Sequence, residues 1–140
     1  MPTTAAHTYS CDKLIPYSHP QDARMEATAF GANLTLAKGT VLGQVTATGL
    51  FAAYNDANAN GTEVANRILP YAIRTDANGK ITLGDVSTGN EHGEKYDTIP
   101  CYTAGEFLES ELVGLDANGL ADLRGRYLSN VATKKVIRIG

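Results

Sequence analysis

Tryptophan is absent from this 140-residue sequence, cysteine occurs only twice, and glycine does not appear before residue 31. Cys11 and Cys101 form neither a CxxC pair nor a spaced framework, so we expect two free thiols rather than a disulfide or a thiolate metal site. Apolar runs stay well below the ~18 residues needed to span a membrane, and no basic segment followed by an apolar stretch opens the chain. We therefore expect neither membrane insertion nor secretion, and a protein made in the cytoplasm.

Positive charge is also scarce, with 12 lysines and arginines against 15 aspartates and glutamates. The formal charge of -3 lacks the electrostatic attraction that dominates nucleic-acid binding, so we expect no nucleic-acid partner. Charged residues make up 19% of the chain, and it contains 14 glycines. Such a weakly charged, glycine-rich surface suits contact with other proteins.

The distribution of glycine divides the chain into an N-terminal arm, residues 1–24, and a body, residues 25–140. The arm has no apolar periodicity and is predicted to be flexible. Its stretch from Tyr9 to Tyr17 can extend as a strand, because Ile15 precedes a proline and is biased toward β geometry. Extended segments of this kind bind partners by strand addition, whereas a terminus without a role is the alternative.

Short apolar runs separated by glycine and Asp/Asn turns predict that the body is mainly β with one short helix, an α+β domain. The predicted strands are residues 34–36, 40–48, 50–54, 68–75, 81–83, 98–103 and 134–139. Pro70 and Pro100 interrupt two of these runs. The pattern of residues 106–115 fits either a strand or a loose helix, in which Phe107 and Leu112 are expected to be buried.

A helix is predicted from Asp116, which serves as its N-cap. The apolar residues at helical spacing that would share its inner face are Leu120, Leu123, Tyr127 and Leu128. Arg124 and Arg126 would lie near its C-terminus, where the helix dipole favours positive charge. A polar loop is predicted over residues 85–96.

No residue is nominated as catalytic. Residues 56–61 match the first half of a calcium-binding EF-hand loop, but Arg67 stands where the bidentate glutamate belongs, so we predict a structural turn. The three histidines and the acidic residues Glu106, Glu109 and Glu111 fit solvated positions better than a nucleophilic or acid–base site. Enzyme motifs such as GxSxG and HExxH are missing. We therefore expect no enzyme activity, no cofactor and no metal.

An ordered set of motifs nevertheless resembles a known family. Residues 36–43 read LAKGTVLG, residues 65–69 read ANRIL, and residues 105–107 read GEF, followed by Leu112 and Leu115. This order, together with Val45, Gly49 and Tyr54, is similar to that of lambda-type phage head decoration proteins over residues 25–127. The tail, residues 131–140, has no counterpart in that pattern.

The resemblance implies a small β-clip-like domain that acts as a homotrimer on the outer surface of the mature phage head, at local three-fold sites. There it stabilises the capsid, and the arm adds strand-like contacts to the major capsid protein. The candidate contact residues in the arm are Tyr9, Cys11, Leu14, Ile15 and Tyr17. The protein is expected in the virion, after synthesis in the host cytoplasm. The alternatives are a trimeric β-clip enzyme and a ligand-binding module that uses the loop 85–96.

Overall fold

The computed structural model describes Leu14 and residues 23–84, 94–131 and 134–140. These residues form eleven β-strands, one α-helix and one 3-10 helix. The strands are β1 (Arg24–Thr28), β2 (Thr35–Leu36), β3 (Val41–Gln44), β4 (Phe51–Ala53), β5 (Arg67–Ile68), β6 (Ile73–Thr75), β7 (Ile81–Leu83), β8 (Lys95–Tyr96), β9 (Ile99–Leu108), β10 (Arg126–Val131) and β11 (Lys134–Ile139). The helices are α1 (Ala117–Asp122) and the 3-10 helix Glu109–Glu111. The prediction of a mainly β domain with one short helix is confirmed.

Two antiparallel sheets organise the body. The larger sheet has seven strands in the order β10-β11-β9-β5-β3-β4, with β1 also paired to β9. The smaller sheet has four strands in the order β2-β6-β7-β8. The long strand β9 is central to the larger sheet, because β1 pairs along its first part, β11 along its last part, and β5 contacts it at Tyr102.

The larger sheet is covered on both faces. Val41 and Leu42 are neighbours in β3, yet they belong to different core clusters, as alternating side chains of a strand do. The first core cluster contains Leu14, Val41, Tyr54, Ala65, Ile68, Phe107, Leu112, Leu123, Ile137 and Ile139. The second core cluster contains Phe30, Leu36, Leu42, Phe51, Leu69, Ile73, Ile81, Ile99 and Cys101. The predicted burial of Phe107 and Leu112 is confirmed, with exposed fractions of 0% and 9%.

Pro70 divides a predicted strand into two. Residues 68–75 do not form one element, because β5 ends at Ile68 in the larger sheet and β6 begins at Ile73 in the smaller one. Proline has no N–H to donate to a ladder, so the chain leaves one sheet here and enters the other. Pro100 behaves differently, since β9 runs through it while it pairs with Ala27 of β1. The expectation that Pro100 interrupts this strand is wrong.

The helix α1 is shorter than predicted. Asp116 does cap it, accepting a hydrogen bond from the Gly119 N–H at 2.7 Å. The helix ends at Asp122, and Arg124 has a left-handed backbone with φ 55°. Tyr127 and Leu128 therefore lie in strand β10, 38% and 47% exposed, and the prediction that they belong to the helical face is wrong.

Residues 106–115, whose pattern had fitted either a strand or a helix, are divided between the two. Strand β9 continues to Leu108, and the 3-10 helix follows directly. This helix packs on the turn at Gly39, whose φ is 86° and where a Cβ would overlap the Glu111 carbonyl oxygen. A glycine at residue 39 therefore allows the close approach of these two segments.

Candidate functional site

Of the five arm residues predicted to contact a partner, the structure describes Leu14. Tyr9, Cys11, Ile15 and Tyr17 lie outside the described residues. The Leu14 side chain is 1% exposed and belongs to the first core cluster. Its carbonyl oxygen accepts a hydrogen bond from the Leu108 N–H at 3.0 Å, at the end of β9. Leu14 is thus part of the body's own core.

Strand β9 also pairs with the chain ten residues after Leu14. Arg24 of β1 pairs with Ala104, and the pairing continues to Thr28 opposite Ile99. The chain is therefore attached to β9 both at Leu14 and from Arg24 onward. The boundary at residue 24 stays a prediction, but Leu14 within the predicted arm already packs against the body.

Arg67 of β5 holds β1 in its place in the larger sheet. Its Nη1 donates to the Ala27 carbonyl oxygen at 3.0 Å and to Thr28 Oγ1 at 2.6 Å, and its Nη2 lies 3.2 Å from Glu26 Oε1. The guanidinium carbon also lies 4.5 Å from the ring centroid of Phe51. In the sequence, Arg67 argues against a calcium site and belongs to the ANRIL motif, but neither observation predicts this structural role. The sequence feature that indicates this structural role is a lone arginine beside the apolar run of β5.

The loop predicted as a turn, residues 56–61, is closed by side-chain hydrogen bonds with Thr62. Asn60 Oδ1 accepts hydrogen bonds from the Thr62 N–H and hydroxyl, at 3.1 and 2.6 Å. Asn58 Nδ2 donates to Thr62 Oγ1 at 2.8 Å, and Gly61 has φ 110°. These side chains close the loop on itself, and the turn prediction is confirmed.

Cys101 is a free thiol in the described part of the chain and is fully buried. Burial raises its pKa from 9.0 to about 11, although a hydrogen bond with Thr28 and the charge of Arg67 act in the opposite direction. The thiol is therefore protonated at neutral pH, and it lacks the thiolate character of a nucleophile.

The acidic residues near the end of β9 do not form one solvated face. The Glu106 side chain is only 15% exposed and lies 3.3 Å from the Arg138 Nη1. Glu109 Oε1 accepts a hydrogen bond from the Tyr127 hydroxyl at 2.8 Å. The expectation that Glu106 is solvated is wrong, because β11 brings an arginine directly opposite it.

In the smaller sheet, Asp76 organises the turn between β6 and β7. Its Oδ1 accepts from the Asn78 and Lys80 N–H groups at 2.9 and 3.0 Å, and its Oδ2 lies 3.0 Å from Lys95 Nζ. Lys95 and Tyr96 form β8, so the predicted polar loop ends before them, and residues 85–93 lie outside the described part. The Lys95 hydrogen bond first, and then the two N–H groups, lower the pKa of Asp76 from 3.8 to about 2.

This pKa shift predicts a loss of stability in acid. Because the folded pKa of Asp76 is below the unfolded value, the unfolded state binds more protons between pH 3.8 and about 2. The contribution of Asp76 is complete above this interval and is lost as the pH falls through it. We expect the urea midpoint to fall less steeply across this range in Asp76→Asn than in the wild type. Parallel pH profiles of the two proteins would contradict this role.

Within the described residues, no group of three histidine, cysteine, aspartate or glutamate side chains is placed to hold a metal ion. The same part of the chain has no helix that is long and apolar enough to cross a membrane.

Comparison with known proteins gives one family. The family model described as bacteriophage lambda head decoration protein D matches residues 6–85. No curated protein and no solved structure matches the chain. The matched segment includes the five candidate arm residues, the LAKGTVLG motif and Arg67, and it ends before β8. Because this match covers more than half of the sequence, the chain belongs to the family of bacteriophage lambda head decoration protein D, structural proteins that decorate the phage head.

Proposed function

We propose that this protein binds as a homotrimer to the outer surface of the mature phage head at local three-fold sites and stabilises the capsid. In this proposal the arm adds a strand to the major capsid protein. The observation that carries it is that the family match begins at residue 6 and therefore includes most of the arm, residues 6–24. The burial of Leu14 supports a defined origin for the arm on the body.

The attachment of the arm at Leu14 determines which of its residues can reach a partner. The 13 residues before Leu14 can reach at most roughly 45 Å when fully extended, which is enough to cross onto a neighbouring subunit. Within an extended strand Tyr9 and Cys11 share one face, so both can contact the same partner surface. Ile15 and Tyr17 follow Leu14 and are proposed to contact the capsid where the arm leaves the body. Leu14 itself is the anchor.

The energetics favour three arms acting together. Ordering each arm residue costs roughly 1–2 kcal/mol of backbone entropy, so a single short arm binds weakly. In a trimer the second and third arms bind as intramolecular events, which raises the overall affinity by roughly 10²–10⁴ without stronger individual contacts. Anchoring at Leu14 also shortens the free segment and confines it near its target.

A truncation that ends before Leu14 tests the role of the arm. We expect removal of residues 1–13 to leave the melting temperature of the body and its oligomeric state unchanged, since it preserves the first core cluster. We expect the same protein to lose co-sedimentation with empty mature heads. The full chain is the control, and its molar mass by light scattering tests the trimer. Attachment of the truncated protein at full-length affinity would refute the role of the arm, and a monomeric full chain would refute the trimer.

The two alternatives gain no specific support. The loop proposed for a ligand-binding module lies largely outside the described residues. For a trimeric β-clip enzyme, the described thiol Cys101 is protonated and buried rather than reactive. Capsid decoration is therefore the function that the chain supports best.

A further inference from the structure

Three arginines line one cavity at the far end of the larger sheet. This cavity has a volume of about 290 Å³ and is lined by Arg124, Arg126, Arg138 and Gly140, which we call the arginine pocket. All four residues lie beyond the segment that matches the family model. The clustering is notable because the chain as a whole has a formal charge of -3 and only 12 lysines and arginines.

The strand register brings like charges together in the arginine pocket. Arg126 of β10 pairs directly with Arg138 of β11, and Arg138 in turn pairs with Glu106 of β9. Like charges on directly opposed strand positions destabilise a sheet. Glu106 lies 3.3 Å from Arg138, so it offsets one of these charges. Among the described side chains, Arg124 and Arg126 have no carboxylate within ion-pair distance.

The backbone of Arg124 ends helix α1 and begins the turn into β10. Its N–H donates to the Ala121 carbonyl oxygen at 3.0 Å, and the Gly125 N–H donates to the Leu120 carbonyl oxygen at 2.9 Å. These two bonds form a Schellman motif, in which the residue with positive φ is usually glycine. Here that residue is Arg124, with φ 55°, and the glycine stands one position later. Arg124 thus stands in a backbone conformation that glycine adopts more easily.

The chemistry of the arginine pocket suits an oxyanion. A guanidinium presents paired N–H groups in one plane, which match the two oxygens of a carboxylate or phosphate. Arg124 and Arg126 are exposed, so an incoming group can reach them without any rearrangement of the core. An anion bound in the pocket would offset the like charges of Arg126 and Arg138, which the strand register places opposite each other.

We propose that the arginine pocket binds a carboxylate side chain presented by the major capsid protein, as a contact separate from the arm. This inference takes the identity of the partner from the proposed function. The existence of the anion site does not depend on that function. Two of the four lining residues, Arg138 and Gly140, belong to the tail, residues 131–140, which has no counterpart in the family pattern. Charge complementarity then adds a polar, salt-sensitive contact to the strand addition made by the arm.

The anion site can be tested on the full-length protein alone, with inorganic phosphate as the probe. We expect saturable shifts of the backbone amide signals of residues 124–126 and 138–140 when phosphate is added at constant ionic strength. In Arg126→Gln the apparent affinity should fall at least roughly tenfold, because one charged hydrogen-bonding group is lost. Arg74→Gln removes the same charge from β6 in the smaller sheet and should bind phosphate like the wild type. Shifts that do not saturate, or that persist unchanged in Arg126→Gln, would overturn the site.

A second variant separates binding from folding. Arg124→Gly removes the side chain and also relieves the positive φ, so we expect it to fold at least as stably as the wild type. It should nevertheless bind phosphate at least roughly tenfold more weakly. Unchanged phosphate affinity in this well-folded variant would refute the part assigned to Arg124.

Head binding tests the identity of the occupant. We expect Arg124→Gly and Arg126→Gln to bind empty mature heads roughly tenfold more weakly than the wild type, and phosphate to compete with wild-type binding. If the wild type binds heads and both variants bind equally well, the capsid carboxylate is refuted even where phosphate binds. If the wild type does not bind heads, the proposed function fails, and the phosphate titration still decides whether the anion site exists.

Discussion

Leu14→Ala is expected to lower the free energy of unfolding by about 2–5 kcal/mol, although the residue lies in the segment predicted as a flexible arm. The Leu14 side chain is 1% exposed and packs in the first core cluster with Phe107 and Ile137. Truncation to alanine removes the transfer free energy of the buried atoms and leaves a cavity that the rigid sheet fills only in part. A segment without a packing role would show no such loss.

Urea denaturation of the purified protein measures this effect. Leu128→Ala is the matched control, because it makes the same change at a leucine that is 47% exposed. Its free energy of unfolding is expected to stay within about 0.5 kcal/mol of the wild-type value. If Leu14→Ala unfolds at the wild-type urea concentration, the anchor is refuted. Head binding in the same variant should weaken as well, since the arm would lose its fixed origin.

Arg67→Met is expected to lower the free energy of unfolding by about 2–4 kcal/mol. Methionine keeps an apolar contact with the Phe51 ring, but it removes the hydrogen bonds to the Ala27 carbonyl oxygen and Thr28 Oγ1. Hydrogen bonds to charged groups contribute roughly 1.5–3 kcal/mol each, and their effects are not additive when they share one donor. Because these bonds reinforce the pairing of β1 with β9, the loss should appear as a lower urea midpoint of unfolding.

Two further variants identify which contact of Arg67 matters. Glu26→Gln removes the ion pair at a side chain that is 65% exposed, so a loss below about 1 kcal/mol is expected. Arg67→Lys keeps the charge but not the planar fork, and an intermediate loss is expected. Equal losses in Glu26→Gln and Arg67→Met would show that the ion pair, rather than the bonds to β1, accounts for the effect.

The strands of the body were largely predictable, because alternation and turn residues are local signals. The runs around Ile81 and Ile137 were placed correctly for this reason. The helix was overextended because Leu120, Leu123 and Tyr127 keep a helical spacing across a break that only the backbone of Arg124 reveals. Strand β1 was not predicted, since its residues are mostly exposed and it is held by pairing with β9, about 75 residues away in sequence.

The candidate site was predictable only in part. The family resemblance followed from the ordered motifs, whereas the arm stays a prediction. The anchor at Leu14 did not follow from the sequence, because a single leucine in a polar segment gives no sign that distant residues such as Val41 and Ile137 will enclose it. The arginine pocket was also missed, since it depends on the register between β10 and β11.

Strand β9 has one more consequence for the behaviour of the whole molecule. Ile99 and Cys101 at its start belong to the second core cluster, whereas Phe107 near its end belongs to the first. The two core clusters should therefore unfold together, because side chains of the single strand β9 contribute to both. The body should thus lose its structure in a single cooperative step, so one unfolding transition is expected for the whole of it.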